Sequence, residues 1–237
     1  MSMFKQDVFE LCKETALAFD GWSFASGIFR KTVLKHTNLT LDPGFSFKGG
    51  PNPSTSILPV INVQHRESMK WFKEIVGYEH ATSFVRFQGV RDELTHYPRE
   101  LRALGHILQH RQAFIVGAGG AELPWPSEWL GFDEAAPAFA GMMKDGIALI
   151  ERYYDLSSQD NLLNNLPMTQ KIGAVGAVEG SMGVMLCVVR AWMGDFEFVE
   201  RYRSDDFKTE RPKRLNEVDA VIATLPELKH RYSNRMR

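Results

Sequence analysis

A chain of 237 residues is long enough to bury a substantial core, as one large domain or two small ones. Its composition is that of an ordinary globular protein, and 28 Lys+Arg against 29 Asp+Glu leave no basic excess for tracking a phosphate backbone, so specific nucleic-acid binding is not expected. The N-terminus, Met1 to Asp7, runs into acidic Asp7 and Glu10 without the unbroken apolar stretch of a secretory signal, which sets the expectation of a cytoplasmic protein.

The first element reads as an amphipathic helix, with Phe4, Val8, Leu11, Thr15 and Phe19 at three- and four-residue steps and Asp20-Gly21 as its stop. Cys12 in this helix and Cys187 far downstream read as buried free thiols rather than a disulfide. The pattern then turns aromatic and β-branched. Trp22–Val33, Asn38–Leu41, Phe45–Lys48, Ile57–His65 and Thr82–Phe87 read as strands, with a turn at Asp42-Pro43-Gly44 and a loop at Gly49–Ser54. Pro59 demotes the start of its strand to an edge or bulge. Ser68 reads as the N-cap of a short helix, Met69–Val76.

Arg91–Arg111 carries a helical stripe of Leu94, Leu101, Leu104, Ile107 and Leu108, interrupted near Pro98. Ala113–Val116 leads into a punctuated loop, Gly117–Gly131. From Phe132 onward only helices are expected: Asp133–Tyr154, a short one capped by Ser157 or Ser158, a Gly-rich one over Thr169–Met193, Phe196–Tyr202 after a Gly194-Asp195 turn, and Leu215–Leu225, with Arg231–Arg237 fraying. The fold class is therefore α+β: a mostly antiparallel N-terminal sheet with helices, then a C-terminal helical layer around the Gly-rich helix. The expected regions are 1–116, 117–131 and 132–237, or one continuous domain.

Gly173, Gly176, Gly180 and Gly183 fall on one face of the Gly-rich helix. Each costs about 1 kcal/mol relative to Ala, so close backbone approach by a neighbouring helix is the expected compensation. The apolar run Ile172–Val189 is slightly short of the roughly 20 residues a bilayer needs, and Glu179 at its centre would cost about 2–3 kcal/mol there, so no membrane span is expected. A packed helix interior is the simpler reading, with a ligand site anchored on Glu179 as its rival.

No motif for catalysis or a cofactor survives its context. Phe114–Ala121 resembles a dinucleotide-binding turn, but Pro124-Trp125-Pro126 follows where a helix must start. His106 and His110 stand four apart on the expected helix without the intervening general base of a metalloprotease, and Ser181 in Gly180-Ser181-Met182-Gly183 lacks the strand-to-helix setting of a nucleophile elbow. Glu122, Asp133, Glu134 and Glu179 are carboxylates without diagnostic spacing. No catalytic residue, metal or cofactor is assigned. Arg201–Arg214, with alternating charges, reads as a solvated connection or an electrostatic docking strip.

The most suggestive surface segment holds two tryptophans in a proline-stiffened acidic loop, Glu122 to Trp129. It reads either as a lid packed on the core or as a partner-binding patch of Glu122, Trp125, Glu128, Trp129 and Asp133. The element order also carries a resemblance: an N-terminal helix, a strand pair, the strand Ile57–His65 with polar Gln64, and C-terminal helices around Gly194-Asp195. It resembles small bacterial proteins of unknown function, some of whose families are immunity proteins that neutralise a competitor's toxin. The resemblance implies a protein-binding role, an inhibitor that occludes a cognate toxin, and transfers no functional residues. The alternatives are a hydrolase or transferase using carboxylate or histidine chemistry between the sheet-bearing and helical halves, and a regulatory scaffold binding along Leu215–Leu225.

Overall fold

The computed structural model describes residues 3–50, 53–98, 103–105, 115–116, 122–123, 129–166, 177–208 and 213–236. The chain divides into two compact units, each assembled from three segments. Met1–Lys31, Thr40–Ile61 and Arg86–Ile150 form the first; Thr32–Leu39, Asn62–Val85 and Glu151–Arg237 form the second. The fold class is α+β.

In the first unit α1 (Met3–Leu17) packs on β1 (Ser23–Ala25) through a run of aromatic edges, Phe9 on Phe24 at 5.4 Å and Phe24 on Phe29 at 4.8 Å. The stretch expected as one strand, Trp22–Val33, is a hairpin. Ser26 and Gly27 take φ of 55° and 84°, the left-handed pair that lets a two-residue turn match strand twist, and β1 returns as β2 (Ile28–Leu34). After β3 (Thr37–Asp42) the chain turns at Gly44, where φ is 63° and a Cβ would lie 2.4 Å from the Leu58 carbonyl oxygen.

A smaller sheet of order β11-β8-β5-β4 joins β4 (Ser46–Lys48), β5 (Ser54–Ser56), β8 (Ala103–Gly105) and β11 (Trp129–Gly131). It is antiparallel except for the β11/β8 pair. This corrects three expectations. Ser54 opens a strand instead of ending a loop. The helix expected over Arg91–Arg111 is replaced at Phe87–Glu93 by a 3-10 turn and at Ala103–Gly105 by β8. The loop Gly117–Gly131 holds β10 (Glu122–Leu123), paired antiparallel with β9 (Ile115–Val116), as well as β11. Short apolar runs do not distinguish strand from helix by periodicity, and Leu104, fully buried, serves a strand as well as a helical stripe. The 3-10 turn Phe132–Glu134 leads into α3 (Ala135–Tyr153). At Gly146 a Cβ would lie 2.2 Å from Leu41 Cδ1, so this glycine admits a core leucine.

The larger sheet has the order β1-β2-β3-β6-β7. Hydrogen bonds at both ends of β3 and β6 (Val60–His65), Arg66 N–H to His36 O and Leu58 N–H to Pro43 O, fix an antiparallel register. Phe87 N–H to Pro59 O does the same for β6 and β7 (Ser83–Arg86). In the second unit α2 (Arg66–Val76) begins earlier than expected and its N-cap is His65, not Ser68. His65 Nδ1 accepts from the Ser68 N–H, and Ser68 is buried inside the first turn.

The helical layer is centred on α5 (Ala177–Trp192), which packs against α2, α6 (Phe196–Arg203) and α7 (Leu215–Arg235). Ser158 caps α4 (Gln159–Asn164), Gly194 closes α5 with φ 89°, and Asp195 caps α6 through Phe198 N–H, all as the sequence predicts. The upstream part of the expected Gly-rich helix, 169–176, lies outside the described residues. Gly183 is described, and its neighbour is a side chain instead of a backbone: a Cβ would meet the Tyr202 hydroxyl at 2.1 Å. Both thiols are buried and free, and burial pushes Cys187 up to about 12. Among the described residues no helix is long and apolar enough to cross a membrane.

The basic end expected to fray is helical through Arg235, despite Pro226 inside α7. Proline removes one backbone donor and crowds the preceding turn. The last turns are held nonetheless, with Tyr232 against Gly194 and Phe196, and Arg231 bonded to Glu74.

Candidate functional site

The second unit carries an open cleft of about 590 Å³. Three helices and a hairpin turn build it. Lys35 stands on the β2–β3 turn, Lys70 and Trp71 on α2, Trp192 at the C-terminal end of α5, and Arg231 and Arg235 on the last two turns of α7. The i, i+4 spacing of the two arginines places both on one face of α7.

The floor is aromatic. Trp71 and Trp192 are each 7% exposed, and a guanidinium group lies over each ring. Arg235 lies 3.7 Å from the Trp192 ring centroid and donates through Nη2 to the Trp192 carbonyl at 2.6 Å; Arg231 sits 5.8 Å from the Trp71 centroid. Such cation–π contacts are worth about 0.5–2 kcal/mol each and hold the cations in place without neutralising them. Below, His65 meets the Trp192 ring edge-on at 4.4 Å. A backbone N–H can only donate, so the Ser68 N–H on His65 Nδ1 places the ring proton on Nε2. That nitrogen is buried without a hydrogen-bond partner among the described residues. Burial, and then the charges of His36, Arg235 and Arg66, push His65 down to about 3, so the ring under the cleft is neutral.

The cations differ in how they are compensated. Arg231 bonds Glu74 at 2.6 Å and Glu227 at 2.5 Å. Lys35, Lys70 and Arg235 make no ion pair among the described residues, and Glu67 is the one acid in the lining. Burial lowers the pKa of Arg235.

Two other polar clusters have enough order to be chemical. In the first unit, Asp145 of α3 is 2% exposed and accepts from the backbone N–H groups of Thr95, His96 and Tyr97, from the Thr95 hydroxyl, and from His96 Nδ1 at 2.9 Å. Burial raises its pKa, but the Tyr97 N–H, the His96 ring and the other amides outweigh that and hold it below the ordinary carboxyl value. The ionised carboxylate can only accept, so His96 carries its proton on Nδ1. A cavity of about 90 Å³ lies between Ile57, Phe87 and Tyr97.

In the second unit, Ser181 of α5 is buried and bonded to Tyr78 Oη at 2.9 Å and Arg214 Nη1 at 2.6 Å; Tyr78 in turn donates to Glu217. Ser181 sits inside a helix and beside a cation, so it cross-links α5 to Arg214 at the start of α7 instead of forming a nucleophile elbow.

Three of the residues predicted from the sequence as a partner patch are described. Glu122 lies in the β9/β10 pair, Trp129 in β11 opposite Ala103, and Asp133 is exposed on the 3-10 turn after it. Trp125 and Glu128 lie outside the described residues, as do His106 and His110. The β9/β10 hairpin replaces the strand-to-helix passage a dinucleotide turn requires. Among the described residues no three His, Cys, Asp or Glu side chains are placed to hold a metal ion. The sequence pattern ends α7 near Leu225 and so leaves Arg231 and Arg235, which build the cleft, in a fraying tail. The signal in the sequence is the helical period, which Val218, Val221, Leu225 and Leu228 carry on to Tyr232, with Arg231 and Arg235 one turn apart on its flank.

No protein-family model, no curated protein and no solved structure matches this chain.

Proposed function

We propose that this chain is a protein-binding protein whose partner docks on the cleft between α2 and the C-terminal ends of α5 and α7, and that it acts as an immunity-type inhibitor occluding the active site of a toxin. The observation that carries the docking reading is the stack of guanidinium groups on Trp71 and Trp192 beside exposed lysines. Trp and Arg are the residues most enriched at interface hot spots, and an arginine already immobilised on an aromatic face loses little further entropy when a partner binds it. The inhibitor role rests on the resemblance in element order.

The test is titration calorimetry with the product of the gene adjacent to this one. Lys35→Glu and Lys70→Glu should weaken binding about tenfold each at unchanged melting temperature. Binding that survives both reversals but is lost in Trp125→Ala/Trp129→Ala moves the interface to the acidic loop. No binding by the wild type removes the inhibitor role.

A second reading, hydrolase or transferase chemistry, draws on one observation: His96 holds Nδ1 on a buried carboxylate, which leaves Nε2 as the basic nitrogen of a half-exposed ring. Against it, Asp145 is saturated by three backbone amides, as an anchor of the Leu94–Pro98 loop would be. Activity on activated esters or phosphoesters that disappears in His96→Ala would establish it; equal rates in the variant would end it.

A further inference from the structure

We infer that the cleft receives an acidic segment of a partner protein, its carboxylates meeting Lys35, Lys70 and Arg235. This rests on the reading of the cleft as a protein-docking site and adds the chemistry of what docks.

Lys35, Lys70, Arg231 and Arg235 line the cleft against the single acid Glu67, on a chain whose net charge is -1. Arg231 is already matched by Glu74 and Glu227, so the unmatched charges are Lys35, Lys70 and Arg235, all exposed.

Shape and preorganisation narrow the occupant. The tryptophans are buried with one of the protein's own cations over each ring, so an apolar side chain would find little open aromatic face there. Arg235 spends one N–H on the Trp192 carbonyl and is clamped on the ring, which leaves donors of a planar fork for a carboxylate. A long polyanion is disfavoured: nucleic acid needs an extended cationic track, whereas Glu67, Glu74, Asp160 and Glu227 surround this short patch. A short stretch of Asp and Glu on a folded or extended partner matches three fixed cations within a ring of acids.

The experiment follows the five tryptophan indole N–H signals of the full chain by NMR. The probes are the heptapeptide Gly-Glu-Asp-Gly-Glu-Asp-Gly, its Gln/Asn counterpart, and sodium acetate at matched ionic strength. The acidic peptide should move the Trp192 signal saturably and the other two probes should not. Lys35→Glu and Lys70→Glu, which leave the Trp192 stack untouched, should each weaken the acidic peptide about three- to tenfold. Arg235→Lys should weaken it while keeping the charge, because the fork is lost.

No saturable shift with the acidic peptide overturns the proposal, as does an equal shift with the Gln/Asn peptide or with acetate. An equal shift with the neutral peptide leaves the cleft a protein-docking site of different chemistry. A protein partner whose affinity is unmoved by Lys35→Glu and Lys70→Glu removes the docking reading itself.

Discussion

Arg235 sits over Trp192, its guanidinium 3.7 Å from the ring centroid, and hydrogen-bonds the carbonyl of that same residue. One side chain thereby satisfies the backbone at the end of α5, covers an indole and ties down the last turn of α7. An end of the chain that looks basic and dispensable is part of the second unit's packing.

Removing Arg231–Arg237 should therefore destabilise the protein. The loss of the Trp71 and Trp192 stacks and of the Glu74 ion pair amounts to about 2–3 kcal/mol. At roughly 2–4 °C per kcal/mol for a chain of this size, the melting temperature falls by about 5 °C or more. A tail that merely frays would leave it unchanged.

His65 should make the second unit acid-sensitive. Its folded pKa, about 3, lies below the ordinary 6.5, so between these values only the unfolded chain takes up the proton. Stability contributed above pH 6.5 is lost as the pH falls, by up to about 1.4 kcal/mol per pH unit. His65→Asn keeps an N-cap acceptor for Ser68 but does not titrate; urea melts across this range should show a shallower acid limb than wild type.

Asp145→Asn should cost about 2–5 kcal/mol, because an amide cannot accept all the donors that converge on the carboxylate and each orphaned buried N–H costs about 1–3 kcal/mol. His96→Ala, at a half-exposed position, should cost under about 1 kcal/mol. Urea midpoints at constant m-value give both figures. Comparable losses in the two variants would mean that the ring, not the amide cage, fixes the loop. The wild-type carboxylate stabilises above its ordinary range and loses that contribution as the pH drops below it.

Gly183 and Tyr202 should be energetically coupled. Gly183→Ala drives a methyl into the Tyr202 hydroxyl, at about 1–3 kcal/mol. With Tyr202→Phe the nearest ring carbon stands 3.0 Å away, so the double variant should lose about 0.5–2 kcal/mol less than the sum of the singles. Additive losses would show that the helix shifts instead of the phenol.

Gly141 offers the opposite case, because its obstruction is backbone: a Cβ would lie 2.6 Å from the His96 carbonyl oxygen. Gly141→Ala should destabilise by about 1–3 kcal/mol with no side-chain substitution able to relieve it, and it should increase amide exchange at Thr95–Tyr97. Unchanged exchange there would place the strain elsewhere.

Local chemistry decided what the sequence could determine alone. The amphipathic stripe of α1, the Ser158 cap, the Gly194 stop and Asp195 cap, and the α+β class all follow from side-chain periodicity and from groups that bond within four residues of themselves. The tertiary structure decided what depends on distant partners. Leu104 lies in a strand because β5 and β11 flank it, and His65 displaced Ser68 as the cap with its ring packed against Trp192. The α7 helix runs past Pro226 because Gly194, Glu74 and Trp192 receive its last turns. The cleft belongs to this second class. Lys35, Lys70, Trp192 and Arg235 are spread over 200 residues of sequence, no local period links them, and burial of helix faces on one another brings them to one surface.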